Sequence, residues 1–107
     1  DCAWFGRDEH ERAIAENIQR FFADQQNFRT DGVFLIDGTP VEGMKALHPV
    51  GLLAALAEAS LASRGTYAKE WVRRFWETPL RTGGRRYYDN CLYLFATLAL
   101  SGKYRIW

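Results

Sequence analysis

Apolar residues recur at spacings of three and four in four stretches of the chain, and turn-forming residues fill the gaps between them. From Asp8 to about Gln26, Ile14, Ile18, Phe21 and Phe22 form one stripe with Ala15, while Glu9, Arg12, Glu16, Gln19 and Arg20 form a polar side. That period predicts an amphipathic helix, and Asp8 and Glu11 stand at capping-box spacing at its start. Pro49 predicts the first turn of a second helix, where its missing N–H costs nothing. It also restricts His48 to an extended backbone, at the helix entrance rather than in its body. Leu53, Leu56, Ala57 and Leu61 carry this helix to about Ser63, and its many alanines allow a neighbour to approach closely. Thr66 predicts the cap of a third helix that runs to about Glu77, carries a heavy aromatic face of Trp71, Val72, Phe75 and Trp76, and is ended by Pro79. The fourth is bounded by Asp89, as an N-cap, and by Gly102, where a left-handed residue closes the last turn. Leu92, Phe95, Ala96 and Ala99 repeat along it and Leu98 and Leu100 widen the stripe. A helix that is apolar nearly all round needs cover on more than one side.

The connections are equally informative. Asn27 to Gly43 is long; Val33 to Ile36 has strand composition, Asp37-Gly38 is a turn signal, and Pro40-Val41 can return as a second strand. Long ordered loops tend to carry function, which makes this one a candidate cleft wall. Asp1 to Phe5 reads as the end of a helix whose earlier turns precede Asp1, with Gly6 as its stop. Arg64-Gly65 is a short break, Leu80 to Arg86 is a basic loop, and Tyr104 and Trp107 lie in a short tail. The pattern predicts an all-α fold of antiparallel helices with a short irregular or hairpin insertion near 33–42.

With 107 residues the chain is one domain at most. It is 48% hydrophobic and 15% aromatic, with four tryptophans. That is a large apolar load for a short chain, and it favours some of this surface lying against something outside the sequence. A net charge of +1, from 14 basic and 13 acidic residues with no basic stripe, gives no support to nucleic-acid binding. No apolar run reaches membrane-span length, and no signal peptide is visible. Cys2 and Cys91 lack the C-x-x-C spacing of a zinc site and read as buried free thiols. This usage fits a reducing, cytoplasmic setting.

Few residues stand out as chemistry. No pair of carboxylates is placed to flank a scissile bond: Asp8 and Asp89 read as caps and Asp37 as a turn residue. His48 either bonds the backbone at a helix entrance or offers a hydrogen bond to a polar ligand in a direction that Pro49 fixes. His10 lies on the wet side of its helix. Tyr87, Tyr88, Trp4 and Trp76 are suited to stacking on sugar faces or to filling a core. Nucleotide, zinc-protease and serine-hydrolase motifs are missing, so no metal or cofactor is expected.

Three runs are more telling together. Ala46-Leu47-His48-Pro49-Val50-Gly51-Leu52, then Phe75-Trp76-Glu77-Thr78-Pro79-Leu80-Arg81-Thr82-Gly83, then Arg86-Tyr87-Tyr88-Asp89 with Leu98-Ala99-Leu100-Ser101-Gly102, resemble in order the C-terminal part of glycoside hydrolase family 8. Within that family they are most similar to the reducing-end xylose-releasing exo-oligoxylanases. The resemblance covers essentially the whole chain. It implies the last helical hairpins of an (α/α)6 barrel, with residues 1–107 an incomplete catalytic domain that needs the remainder of that domain as its partner. It implies an inverting enzyme, in which an acid protonates the leaving oxygen and a base activates water on the opposite face. The acid is a Glu near the family's N-terminal part. The base is an Asp about three turns upstream of the stretch matching Asp1 to Phe5. Neither falls in this chain, so no catalytic residue is expected in it and the segment alone is expected to be inactive.

In the exo-acting members a Leu-His-Pro kink blocks the cleft beyond the reducing-end sugar; here it is Leu47-His48-Pro49. The resemblance makes His48, Tyr87 and Tyr88 substrate-binding candidates for a xylo-oligosaccharide, with Arg81 and Trp4 as weaker ones. It leaves open which tyrosine faces the cleft. Ala46 stands where the family can carry a further His that contacts the reducing-end hydroxyl, and this departure leaves exo against endo action open. Two other readings stand beside it: a small helical protein-interaction module, and an endo-acting family 8 xylanase, chitosanase or glucanase.

Overall fold

The computed structural model describes residues 8–63 and 65–103. The expected helix end at Asp1–Phe5, Cys2, Trp4, Arg64, Tyr104 and Trp107 lie outside the described residues. The chain order is α1 (Glu9–Arg20), continued by a π-helical turn (Phe21–Gln25), β1 (Gly32–Phe34), β2 (Pro40–Lys45), α2 (Pro49–Glu58), continued by a 3-10 turn (Ala59–Leu61), α3 (Ala68–Glu77) and α4 (Arg86–Leu100). The all-α expectation with a hairpin insertion holds.

Helix α1 starts as its sequence dictates. The Asp8 carboxylate accepts from Glu11 N at 2.9 Å, and the Glu11 carboxylate accepts from Asp8 N at 3.4 Å. The helix widens into its π turn at Phe21, where Phe22 and Ala23 are buried. The burial of α1 departs from the hydropathy pattern. Ile14 and Ile18 remain 49% and 43% exposed, whereas Gln19, assigned to the polar side, is 1% exposed. Gln19 is buried because it has a structural partner: its amide donates to Leu56 O at 2.8 Å and to Ser60 Oγ at 2.9 Å, while Trp71 Nε1 donates to Gln19 O at 3.2 Å. The amide oxygen, Oε1, is buried without a hydrogen-bond partner. An apolar period marks one face of a helix and cannot see an amide whose nitrogen has acceptors across the interface.

Strands β1 and β2 form an antiparallel ribbon that pairs Gly32 with Lys45 and Phe34 with Pro40, with an irregular register between them. The Asp37-Gly38 turn closes it; Gly38 has φ 90°, and Thr39 N donates to Asp37 Oδ1 at 2.9 Å. Ala46 N donates to Asp31 O at 2.8 Å, and Thr30 Oγ1 to Pro49 O at 2.9 Å. Both bonds anchor the ribbon's base beside the start of α2.

Helix α2 is the centre of the packing and has its most extensive contact with α4. Ala54 and Ala57 meet Phe75 of α3 and Ala96 of α4 in one buried cluster, which Leu92, Tyr93 and Leu100 complete. Small residues here let the helix axes approach closely. Leu56 faces the other way, into a second cluster with Phe22 and Trp71. Trp71 and Phe75 are both fully buried. On the wet side of α3, Glu70 and Glu77 bracket Arg73, and Arg74 reaches back to Glu70. The hydrogen bond from Arg73, helped by Arg74, holds the Glu70 carboxyl below its ordinary value. Exposed pairs of this kind contribute little to stability.

Two helix starts differ from expectation. Helix α3 has Tyr67 rather than Thr66 as its N-cap, with no side-chain cap bond. Helix α4 begins at Arg86, after Arg85 in a left-handed conformation (φ 61°), so Asp89 lies inside the first turn and does not cap its own helix. The C-terminal end is as expected. Gly102 has φ 74°, Lys103 N donates to Leu98 O at 2.9 Å, and Gly102 N donates to Ala99 O at 3.1 Å, a Schellman closure.

Apolar surface is left over. Ile14, Ile18, Phe21, Leu35 and Ile36 line an open groove of about 520 Å³, and Leu94 and Phe95 of α4 are 55% and 49% exposed. No helix among the described residues is long and apolar enough to cross a membrane. The inverted burial of α1 has a measurable consequence. In the 107-residue chain, Gln19→Ala removes a buried amide nitrogen that donates twice across the interface and is expected to cost about 2 kcal/mol, whereas Ile18→Ala is expected to cost about 1 kcal/mol, because Ile18 remains 43% exposed. Urea melting of the two variants checks the order.

Candidate functional site

Helix α2 has no conventional cap. His48 occupies the N-cap position with φ −132° and ψ 61°, makes no side-chain cap bond, and is followed by Pro49. The free N–H of Gly51, the third residue of the helix, therefore needs an acceptor from elsewhere. Asp89 supplies it from α4: its Oδ1 accepts from Gly51 N at 2.8 Å. The close approach requires a glycine. A Cβ on residue 51 would lie 2.9 Å from Asp89 Oδ1 and 2.9 Å from Leu92 Cδ1.

The Asp89 side chain is fully buried. A carboxylate out of water is costly unless it is paired and hydrogen-bonded, and three features offset that cost. Arg81 pairs with Asp89 Oδ2 through Nη1. Gly51 N–H bonds Oδ1. The carboxylate also lies in the first turn of α4 and against the first turn of α2, where both helix dipoles favour a negative charge. The same Arg81 Nη1 donates to Leu47 O at 2.6 Å. Arg81 is itself fixed by Asn90, which accepts from Arg81 N and donates to Arg81 O, each at 3.1 Å. One guanidinium thus joins the buried carboxylate to the backbone of the Leu47-His48-Pro49 kink.

His48 lies over this pair. Its Nδ1 is 3.7 Å from Asp89 Oδ1, is buried and has no hydrogen-bond partner, although 34% of the side chain is exposed. Its ring packs on Tyr88 at 4.6 Å between centroids, tilted by 49°. The kink therefore presents Leu47, 57% exposed, and the outer part of His48, backed by Asp89 and Arg81 and flanked by Tyr88.

The structure brings together His48, Tyr88, Arg81, Leu47 and Pro49 among the residues singled out in the sequence. Tyr88 rests on His48, while Tyr87 is 81% exposed. Arg81 spends its described bonds on the protein, and Trp4 lies outside the described residues. Cys91 is a free, half-buried thiol. Asp89 was not among the expected site residues. The signal that could have found it is the capless start of α2: a histidine, a proline and then a glycine leave an acceptor to be supplied by another element.

Removing the cation exposes how much the pair matters. Arg81→Ala leaves a buried charge without its partner and the Leu47 carbonyl without its donor. It is expected to destabilise by about 3 kcal/mol, read by urea melting. Gly51→Ala is expected to cost about 1–3 kcal/mol by overpacking the same contact.

No protein-family model matches the chain. Curated proteins and solved structures do. The chain is 56% identical over 110 residues to a reducing end xylose-releasing exo-oligoxylanase of Halalkalibacterium halodurans, a match covering all of this chain and 27% of that protein. Its fold matches the structure of Rex8A from Paenibacillus barcinonensis complexed with xylose, with a TM-score of 0.89 and 51% identity over 99% of this chain and 28% of that one. It also matches a variant of a reducing-end-xylose releasing exo-oligoxylanase complexed with xylobiose, with a TM-score of 0.88 and 55% identity over 99% of this chain and 28% of that one. The chain thus spans little more than a quarter of the length of the relatives it matches. Sequence and helix arrangement agree over that quarter: the chain is similar throughout to the C-terminal part of the reducing-end xylose-releasing exo-oligoxylanases.

Proposed function

We propose that these 107 residues are the C-terminal segment of a single (α/α)6 catalytic domain that releases xylose, with inversion, from the reducing end of xylo-oligosaccharides. The segment supplies the wall at the end of the cleft, and the remainder of the domain supplies the general acid and base. The observation that carries this reading is the kink itself. Leu47 and His48 project from a helix start whose backbone is tied from behind by Arg81 and Asp89. A wall that must stop a sugar chain has to resist displacement, and an exposed loop without such ties would yield.

Tyr88 is the tyrosine in contact with the wall, which suits it to the sugar ring placed against His48. Tyr87 stands further out as a second stacking surface. A terminal xylose seated there puts the scissile bond one residue inward, so that each turnover frees one sugar. The apolar groove beside Ile14, Ile18 and Leu35, and the exposed Leu94 and Phe95, suit contact with the rest of the domain.

The 107 residues alone are expected to release no xylose from xylotriose, because on this reading the acid and base belong to the remainder of the domain. The complete domain is expected to release it from the reducing end. Sugar analysis of both reactions checks this, and robust turnover by the isolated segment contradicts it. In the complete domain His48→Ala is expected to raise KM for xylotriose about tenfold, the loss of one good polar contact.

A further inference from the structure

The geometry points to Asp89 as a positioning residue that acts through His48: its carboxylate holds the imidazole with Nδ1 protonated, so that Nε2 is left as an acceptor for a hydroxyl of the terminal sugar. This rests on the reading of His48 as part of the cleft wall. Asp89 makes no described contact with the outer surface and takes no part in bond breaking.

Three observations carry it. Asp89 is fully buried, and its Oδ1 already accepts from Gly51 N, so its position is set by the start of α2. His48 Nδ1 is buried without a hydrogen-bond partner and lies 3.7 Å from that same oxygen. The Tyr88 ring packs against the imidazole at 4.6 Å and limits how it can turn.

A buried ring nitrogen left unpaired is costly. An ionised carboxylate can only accept, so the nitrogen that faces it is the one that carries hydrogen. In a neutral imidazole the other nitrogen then holds the lone pair. An approach of about 0.8 Å turns the present 3.7 Å separation into an ordinary N–H···O bond. Contact of a sugar with the exposed side of the ring is in the right sense to drive that approach. Hydrogen bonding then runs in one direction, from sugar hydroxyl to Nε2 and from Nδ1–H to Asp89, with Arg81 holding the charge at the far end.

The test is a double-mutant cycle in the complete catalytic domain with xylotriose, using Asp89→Asn, His48→Ala and both together. Asparagine keeps the shape and an oxygen for Gly51 N–H but removes the charge. Asp89→Asn is expected to raise KM about tenfold with kcat changed by less than about twofold. The double variant is expected to be within about twofold of His48→Ala alone, because the two residues act as one. An unchanged KM in Asp89→Asn, or effects that multiply, overturns the proposal while leaving the wall intact. An unchanged KM in His48→Ala overturns the wall reading and this proposal with it. Should Asp89→Asn fail to fold, nitrogen NMR of His48 in the unmodified domain decides: protonation at Nδ1 supports the proposal, and protonation at Nε2 overturns it.

Discussion

A buried carboxylate joins two helices that lack starts of their own. Asp89 lies in the first turn of α4, yet its hydrogen bond goes to the N–H of Gly51 in the first turn of α2. Neither helix has a side-chain cap at its N-cap residue. An ionised group that would be worth several kcal/mol of penalty if left alone becomes tolerable between two helix N-termini and a guanidinium. Its replacement by an apolar residue of similar size would leave the Gly51 N–H and the Arg81 charge without partners. The arrangement also explains a glycine inside a helix, where glycine is ordinarily unfavourable. Any larger residue would push α4 away from α2.

From that contact the rest of the fold follows outward. Ala54 and Ala57 continue the close α2–α4 approach into the first buried cluster, and Leu56 turns to Trp71 and Phe22 in the second. Gln19 locks α1 to the end of α2 with its amide, and Trp71 locks α3 to α1 with its indole. Arg81 carries the same network into the loop between α3 and α4 and onto the Leu47 carbonyl. The kink is thus continuous with the best-packed part of the molecule. The groove along Ile14 and Ile18 and the outer face of α4 are covered by nothing among the described residues.

Much of this was legible in the residues. The capping box of Asp8 and Glu11, the turn at Asp37-Gly38, the proline start of α2 and the glycine stop of α4 are local signals, and each sits where its local chemistry placed it. At Gln19 and Asp89 a tertiary partner overrides local chemistry. Gln19 reads as solvent-facing until its acceptors on α2 and the following turn are known. Asp89 reads as a cap, which it is, but for another helix: local preference identifies the kind of hydrogen bond and cannot say which N–H receives it. The helix entry at His48-Pro49 is a local signal, whereas its reading as a cleft-blocking kink comes only from the resemblance. The surplus of apolar residues favours surface lying against something outside the sequence, and Leu94, Phe95 and Ile36 are exposed.

The kink is held by a buried carboxylate through the start of α2, and amide hydrogen exchange at Gly51 tests this most directly. An N–H in the first turn of a helix ordinarily bonds water and exchanges quickly. If Asp89 binds it in a dry contact, Gly51 exchanges as slowly as Ala54 in the helix interior. Exchange at Gly51 as fast as that of an exposed terminal amide, with Ala54 protected, would contradict the account.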